Sequence, residues 1–155
     1  MSQLLAVDLG LRCGLASFSD AGRLLWYRSR HFRNMEALKR GAFRIFQENA
    51  ALSYIVMEGD AHLAEIWSRQ AAKQGATSIC VAAETWRERL LLPREQRNGR
   101  QAKSFASQFA MDAIRAFDAP RPTSLRHDAA EAICIGVWGL LEVGWLPELP
   151  RQLCR

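Results

Sequence analysis

Along this chain the apolar positions switch between a strand rhythm and a helix rhythm. Leu4-Leu5-Ala6-Val7-Asp8 is a short, continuous apolar run closed by an acid, and it reads as a buried strand. Gly10 and Gly14 bracket a turn, and Gly14 to Ser19 makes a second strand. Asp20-Ala21-Gly22 is a turn signal before a third strand, from about Arg23 to Arg30. Short turns between successive strands imply an antiparallel meander.

The rhythm then changes. Met35, Leu38, Ala42, Ile45 and Phe46 recur at helical spacing behind Asn34, a good N-cap. Tyr54 to Glu58 is again a short apolar run ended by an acid, which suits a central strand buried on both faces. A helix from about His62 to Gln74 turns Leu63, Ile66 and Trp67 inward and stops at Gly75, and Thr77 to Val81 returns as a fifth strand. Strand–helix–strand–helix–strand favours parallel pairing through right-handed crossovers.

Thr85 to Leu91 is a short helical piece, and Pro93 to Gly99 reads as a polar, arginine-rich loop. A helix from roughly Gln101 to Phe117 gathers Ala102, Ala106, Phe109, Ala113 and Phe117 on one side. After the breaker Asp118 to Pro122, the last helix runs from about Ser124 to Val143, with Thr123 or Ser124 as its cap. The tail from Pro147 is expected to drape the surface. Together these elements predict an α/β fold: a five-stranded mixed sheet with helices on both faces, the ribonuclease-H-like arrangement.

Bulk properties narrow the picture little. A chain of 155 residues fits a single domain with a real core, here spanning 1–155. A net charge of +5 and a pI near 9.4 fit a polyanionic partner. Cys13, Cys80, Cys134 and Cys154 match no zinc spacing, so buried free thiols and a reducing, cytoplasmic setting are expected. The N-terminus lacks the pattern of a signal peptide. The longest apolar run, Ala129 to Leu141, is broken by Glu131 and falls short of the roughly 20 residues that span a bilayer.

The acids change the picture. Asp8 and Glu58 each close a buried strand, where a carboxylate is costly to desolvate unless a cation meets it. Asp128 and Glu131, three apart at the start of a helix, share a face at its positive end. Taken singly, a strand-end Asp is also a turn former and an Asp-x-x-Glu is also plain capping. Their convergence in this topology points instead to a metal site, because phosphodiester cleavage needs divalent ions about 4 Å apart and carboxylates to hold them. His127 beside Asp128 is open to metal binding, proton relay, phosphate contact or a polar place in a cap. Asp60, Glu65, Glu84, Asp112 and Asp118 read as solvated charges.

At the level of motifs, Asp8-Leu9-Gly10 followed by Cys13-Gly14-Leu15-Ala16 resembles the opening strand–turn–strand of RuvC-like Holliday-junction resolvases. Val56-Met57-Glu58 resembles their second acidic strand end, and Trp86-Arg87 is similar to the segment after their fifth strand. The fullest match is His127-Asp128-Ala129-Ala130-Glu131-Ala132 with its apolar continuation. The resemblance covers Leu4 to about Gly139. It implies a homodimeric, magnesium- or manganese-dependent endonuclease that nicks two strands of a four-way DNA junction. Asp8, Glu58, Asp128 and Glu131 would hold two ions, with His127 auxiliary. No organic cofactor and no membrane partner are implied. The chain departs from the family in ending the quartet with Glu131 rather than Asp, and in lacking an aromatic wedge just after Glu58. Trp67, further along, belongs to a helical apolar stripe and reads as core.

Between Trp86 and Lys103, six basic residues (Arg87, Arg89, Arg94, Arg97, Arg100, Lys103) face two acids. Arg87, Arg94, Arg97, Arg100 and Lys103 are the expected phosphate contacts, with Arg12 in the turn after Asp8. Arg28, Arg30, Arg33, Lys39 and Arg40 form a second cluster. Competing readings are a non-catalytic nucleic-acid-binding module of the same fold, and an RNA-processing or flap nuclease. Actin-like ATPases share the Asp-x-Gly opening but need two lobes, which this length does not hold.

Overall fold

The computed structural model describes residues 1–155. Leu4 to Val7 have no solvent exposure, and they form most of the strand around which the rest is arranged. The strands are β1 (Gln3–Asp8), β2 (Arg12–Ser19), β3 (Leu24–His31), β4 (Leu52–Glu58) and β5 (Thr77–Cys80). They form one sheet in the order β3-β2-β1-β4-β5. The meander strands pair antiparallel, whereas β4 and β5 join parallel to their neighbours. The sheet is therefore mixed, as the change of rhythm in the sequence predicts.

Five helices cover its faces: α1 (Met35–Glu48), α2 (Ala61–Gln74), α3 (Ala83–Leu90), α4 (Gly99–Ala116) and α5 (His127–Val143). Strand side chains alternate between faces, so β1 feeds two cores. Leu5 and Val7 pack with α1 and α2, together with Ile55, Met57 and a fully buried Trp67. Leu4 and Ala6 pack with α4 and α5, together with Val56. α5 is buried nearly all round, as its unbroken apolar sequence requires, because it lies between the sheet and α4.

Local chemistry sets most boundaries. Asn34 caps α1 by accepting from the Ala37 amide at 2.9 Å. Asp60, read from the sequence as a solvated charge, caps α2 through the amides of His62 and Leu63. Gly75 ends α2 at φ 77°, a left-handed conformation that suits glycine.

Several expectations need correction. α5 begins at His127, three residues later than Ser124, and Arg126 precedes it without a side-chain cap. Glu131 therefore lies in the second turn, and only Asp128 is in the first. Met35 is 39% exposed rather than inward. The 93–99 segment is not a plain loop: Pro93–Gln96 is a 3-10 turn around a buried Glu95, whose carboxylate accepts from the Leu92 amide at 2.8 Å. The tail does not drape. Leu153 is fully buried, and Arg155 pairs with Asp112 at 3.1 Å and Glu95 at 3.8 Å. All four cysteines are free, but only Cys13 and Cys134 are buried. No helix is long and apolar enough to cross a membrane.

Candidate metal centre

The parity of the strands decides where the acids point. Leu4, Ala6 and Val56 face α5, so two residues on from each run Asp8 and Glu58 point the same way. They are direct partners across the β1/β4 pairing, and the ladder runs one step further through Leu9 N–H to Glu58 C=O at 2.9 Å. On the other side, Asp8 pairs with Gly14 of β2, and Gly14 pairs with Ser29 of β3. One row, Glu58–Asp8–Gly14–Ser29, thus crosses four strands beneath the start of α5.

Gly14 lets that helix come down. A Cβ there would lie 1.7 Å from the Asp128 carbonyl oxygen, so no other residue fits without moving α5. With the helix seated on this spot, Asp128 and Glu131 fall over different parts of the row. α5 runs along β2, meeting Gly14 at Asp128 and Phe18 at Gly136, and three residues of helix turn the Asp128 and Glu131 side chains about 60° apart around its axis. Glu131 meets Asp8 and Glu58, and one oxygen from each of the three lies within 4.8 Å of the others. Asp128 lies over the β2/β3 side, where its Oδ1 accepts from Ser29 Oγ at 2.9 Å. The structure sorts the four acids into a cluster of three and a neighbour held by a serine.

The cluster is electrostatically unsatisfied. Asp8 is pushed from an ordinary 3.8 up to about 8, first by burial and then by the charges of Glu131, Glu58 and Asp128. Burial also raises Glu131, against the pull of Arg87. Arg87, expected at a phosphate, instead turns inward. Its guanidinium lies 3.7 Å from Glu131, its side chain is only 21% exposed, and it sits over the buried Trp86 ring. One cation at this distance does not balance three carboxylates. Three oxygen donors in a half-buried, net-negative group suit a hard divalent ion, so the residues fit the expected metal.

Around the cluster lies a cavity of about 870 Å³, lined by Asp8, Asp128 and Glu131 and rimmed by cations: Arg12, Arg30, Lys103 and Arg126. His127 is exposed on its wall, with Nδ1 3.4 Å from Ser107 Oγ. Arg100 and Lys103 flank the adjoining cavity with His127, both on the first turns of α4, Arg100 one residue ahead of the expected helix start. Arg94 and Arg97 are exposed outside both linings. Ser29, His31 and Arg126 line the site without having been singled out in the sequence, although Arg30 belonged to the second basic cluster. A register argument pairing Gly14 with Ser29 is the one sequence signal that points to the serine.

No protein-family model matches this chain, nor does any curated protein. Among solved structures, T. thermophilus RuvC in complex with a Holliday junction substrate aligns with a TM-score of 0.63 and 14% sequence identity, covering 94% of this chain and 98% of that one. At that identity the likeness is one of fold. Sheet order, helix placement and this likeness together make the fold RuvC-like and ribonuclease-H-like.

Proposed function

We propose that this protein is a divalent-metal-dependent endonuclease acting on branched DNA, foremost four-way junctions, which it opens by paired nicks as a homodimer. The observation that carries the reading is the Asp8–Glu58–Glu131 cluster, of which Asp8 and Glu131 open into a cavity rimmed by cations. The fold likeness to a RuvC bound to a Holliday junction supports the choice of substrate. Dimerisation and paired nicking rest on the motif resemblance carried by Asp8-Leu9-Gly10 and His127-Asp128-Ala129-Ala130-Glu131.

In this reading Asp8, Glu58 and Glu131 hold magnesium or manganese, and Asp128 completes the set for a second ion from its place beside Ser29. Bound metal supplies an activated water and a stabilised leaving oxygen. The chain's own contributions are separable. Burial and mutual repulsion keep Asp8 and Glu131 poised to accept a cation. Arg87 holds Glu131 toward its partners. With Nδ1 turned to Ser107, His127 offers Nε2 to a phosphate or a proton. Arg12, Arg30, Arg100, Lys103 and Arg126 neutralise phosphates on either side, so affinity falls steeply with salt.

The test compares a four-way junction, a flap, a duplex and an RNA–DNA hybrid with magnesium, and maps the nicks. Symmetric cuts in the junction, lost in Asp8→Asn while DNA binding persists, are expected. Cleavage confined to the flap or hybrid moves the substrate class. Binding without cleavage of any of them leaves a nucleic-acid-binding module.

A further inference from the structure

The cavity over the acids does not end there. It adjoins a second one through Ser29, Leu125 and Arg126, lined also by Arg28 and Tyr27. That one meets a third through Tyr27, formed with Trp26, Pro120 and Arg121. In the opposite direction, Lys103 and His127 join the central cavity to the one at Arg100. A continuous furrow therefore runs from the start of α4, across the carboxylates, and out along the free edge of β3. Away from the metal centre its lining holds cations and no acid.

Two features show a built surface rather than scattered charge. Arg28 stacks 4.2 Å over the Trp26 ring and Arg30 5.3 Å over Phe32, so both guanidiniums are restrained at the strand edge and lose less freedom on meeting an anion. The Tyr27 hydroxyl donates to the Pro120 carbonyl, which ties the Arg121 turn to the same edge. Arg121 and Arg126 line the β3 side of the furrow. Arg28 and Arg30 reach the same free edge from the opposite face of the sheet, where Trp26 and Phe32 pack with α1 and α2. From Trp26 to His31 the strand spans five steps, roughly 17 Å at 3.3 Å each, or about five phosphates of one DNA strand at 3.4 Å along its axis.

We propose that the β3 edge is a phosphate track, a sequence-independent contact surface for about five nucleotides of the DNA leading away from the metal centre. It lies on the opposite side from Arg100 and Lys103. The inference deepens the nuclease reading and rests on it for the identity of the polyanion. Charged side chains on an edge strand also serve to block edge-to-edge aggregation, and that is the rival account.

The experiment uses the full chain in calcium, with a fluorescein-labelled four-way junction, and follows anisotropy over a salt series. Arg28→Gln/Arg121→Gln is expected to weaken binding about tenfold or more and to lower the slope of log affinity against log salt by about 2, near 0.9 per phosphate contact. Single-turnover cleavage in magnesium at saturating protein should stay within about twofold of wild type. An unchanged slope and affinity, whether or not the variant self-associates, overturns the track and leaves the arginines as edge guards. Circular dichroism melting confirms that the variant is folded, and Arg28→Lys/Arg121→Lys should restore the slope. If wild type shows the full slope and the variant the reduced one, but neither cleaves, the track stands and the nuclease reading falls. If wild type binds no nucleic acid, both fall.

Discussion

Asp128 and Glu131 sit one helical turn apart on α5 and carry the same charge, yet their surroundings differ completely. Glu131 is drawn into a crowd of carboxylates with one arginine for relief, 3.7 Å away. Asp128 has a serine hydroxyl at 2.9 Å and an open cavity in front of it. The difference comes from the sheet beneath. One residue stands over the β1/β4 pair, whose strand ends are acidic; the other stands over β2/β3, whose facing positions are Gly14 and Ser29. Equal acids on one helix face thus become unequal through what each strand presents.

The largest expected effect of breaking the comparison is at its centre. Asp8→Asn should reduce magnesium-dependent single-turnover cleavage at least a thousandfold, about 4 kcal/mol, with Glu58→Gln and Glu131→Gln close behind. The same Asp8→Asn change should raise the melting temperature of the metal-free protein at pH 8, since it removes a charge that burial and its neighbours disfavour.

Next in size is the seat of the helix. Gly14→Ala should cost about 3 kcal/mol in denaturant unfolding and lower cleavage as well, because both halves of the comparison move with α5. Gly99→Ala, where nothing lies within 4 Å of an added Cβ, is the control and should be neutral or slightly stabilising.

The pH dependence has a definite sign. Asp8 titrates near 3.8 unfolded and about 8 folded. Between those values the unfolded chain has released a proton that the folded chain keeps. Metal-free stability should therefore fall as pH rises from about 4 to about 8, by at most about 1.4 kcal/mol per unit from this group. Manganese should stabilise the protein more at pH 8 than at pH 5. A metal-free protein whose stability rises through this window would contradict the crowding of the cluster.

Smaller effects sharpen the three-plus-one division. Asp128→Asn should slow cleavage about tenfold, roughly 1.4 kcal/mol, and leave manganese binding at the cluster measurable by calorimetry. An effect as large as that of Asp8→Asn would erase the distinction. Ser29→Ala should be the mildest, costing a few-fold in rate and about 1 kcal/mol or less in stability, because Asp128 can turn to water instead.

Much of this architecture is legible in the amino-acid order. Continuous apolar runs at 4–8 and 54–58 mark doubly buried strands, Asn34 marks a helix start, and Gly75 marks a helix end. The helical spacing of Leu63, Ile66 and Trp67 marks the tryptophan as core. Errors arose where a distant segment overrode a local signal. Ser124 looks like a cap, but α5 starts where Gly14 lets it rest. Glu95 looks like part of a polar loop, yet Leu92 and Arg155 meet it and bury it. Arg87 looks like a phosphate contact because its attachment to Glu131 spans 44 residues of sequence.

By itself, the sequence determined the order of elements and the side of each strand on which its closing acid falls, because alternation along a strand is a local rule. Which acids share one site was settled only when the strands lay side by side and α5 came to rest along β2 and β1. The seat of α5 along β2, with Asp128 against Gly14, is a tertiary relation, and it joins Glu131 to Asp8 while leaving Asp128 with Ser29.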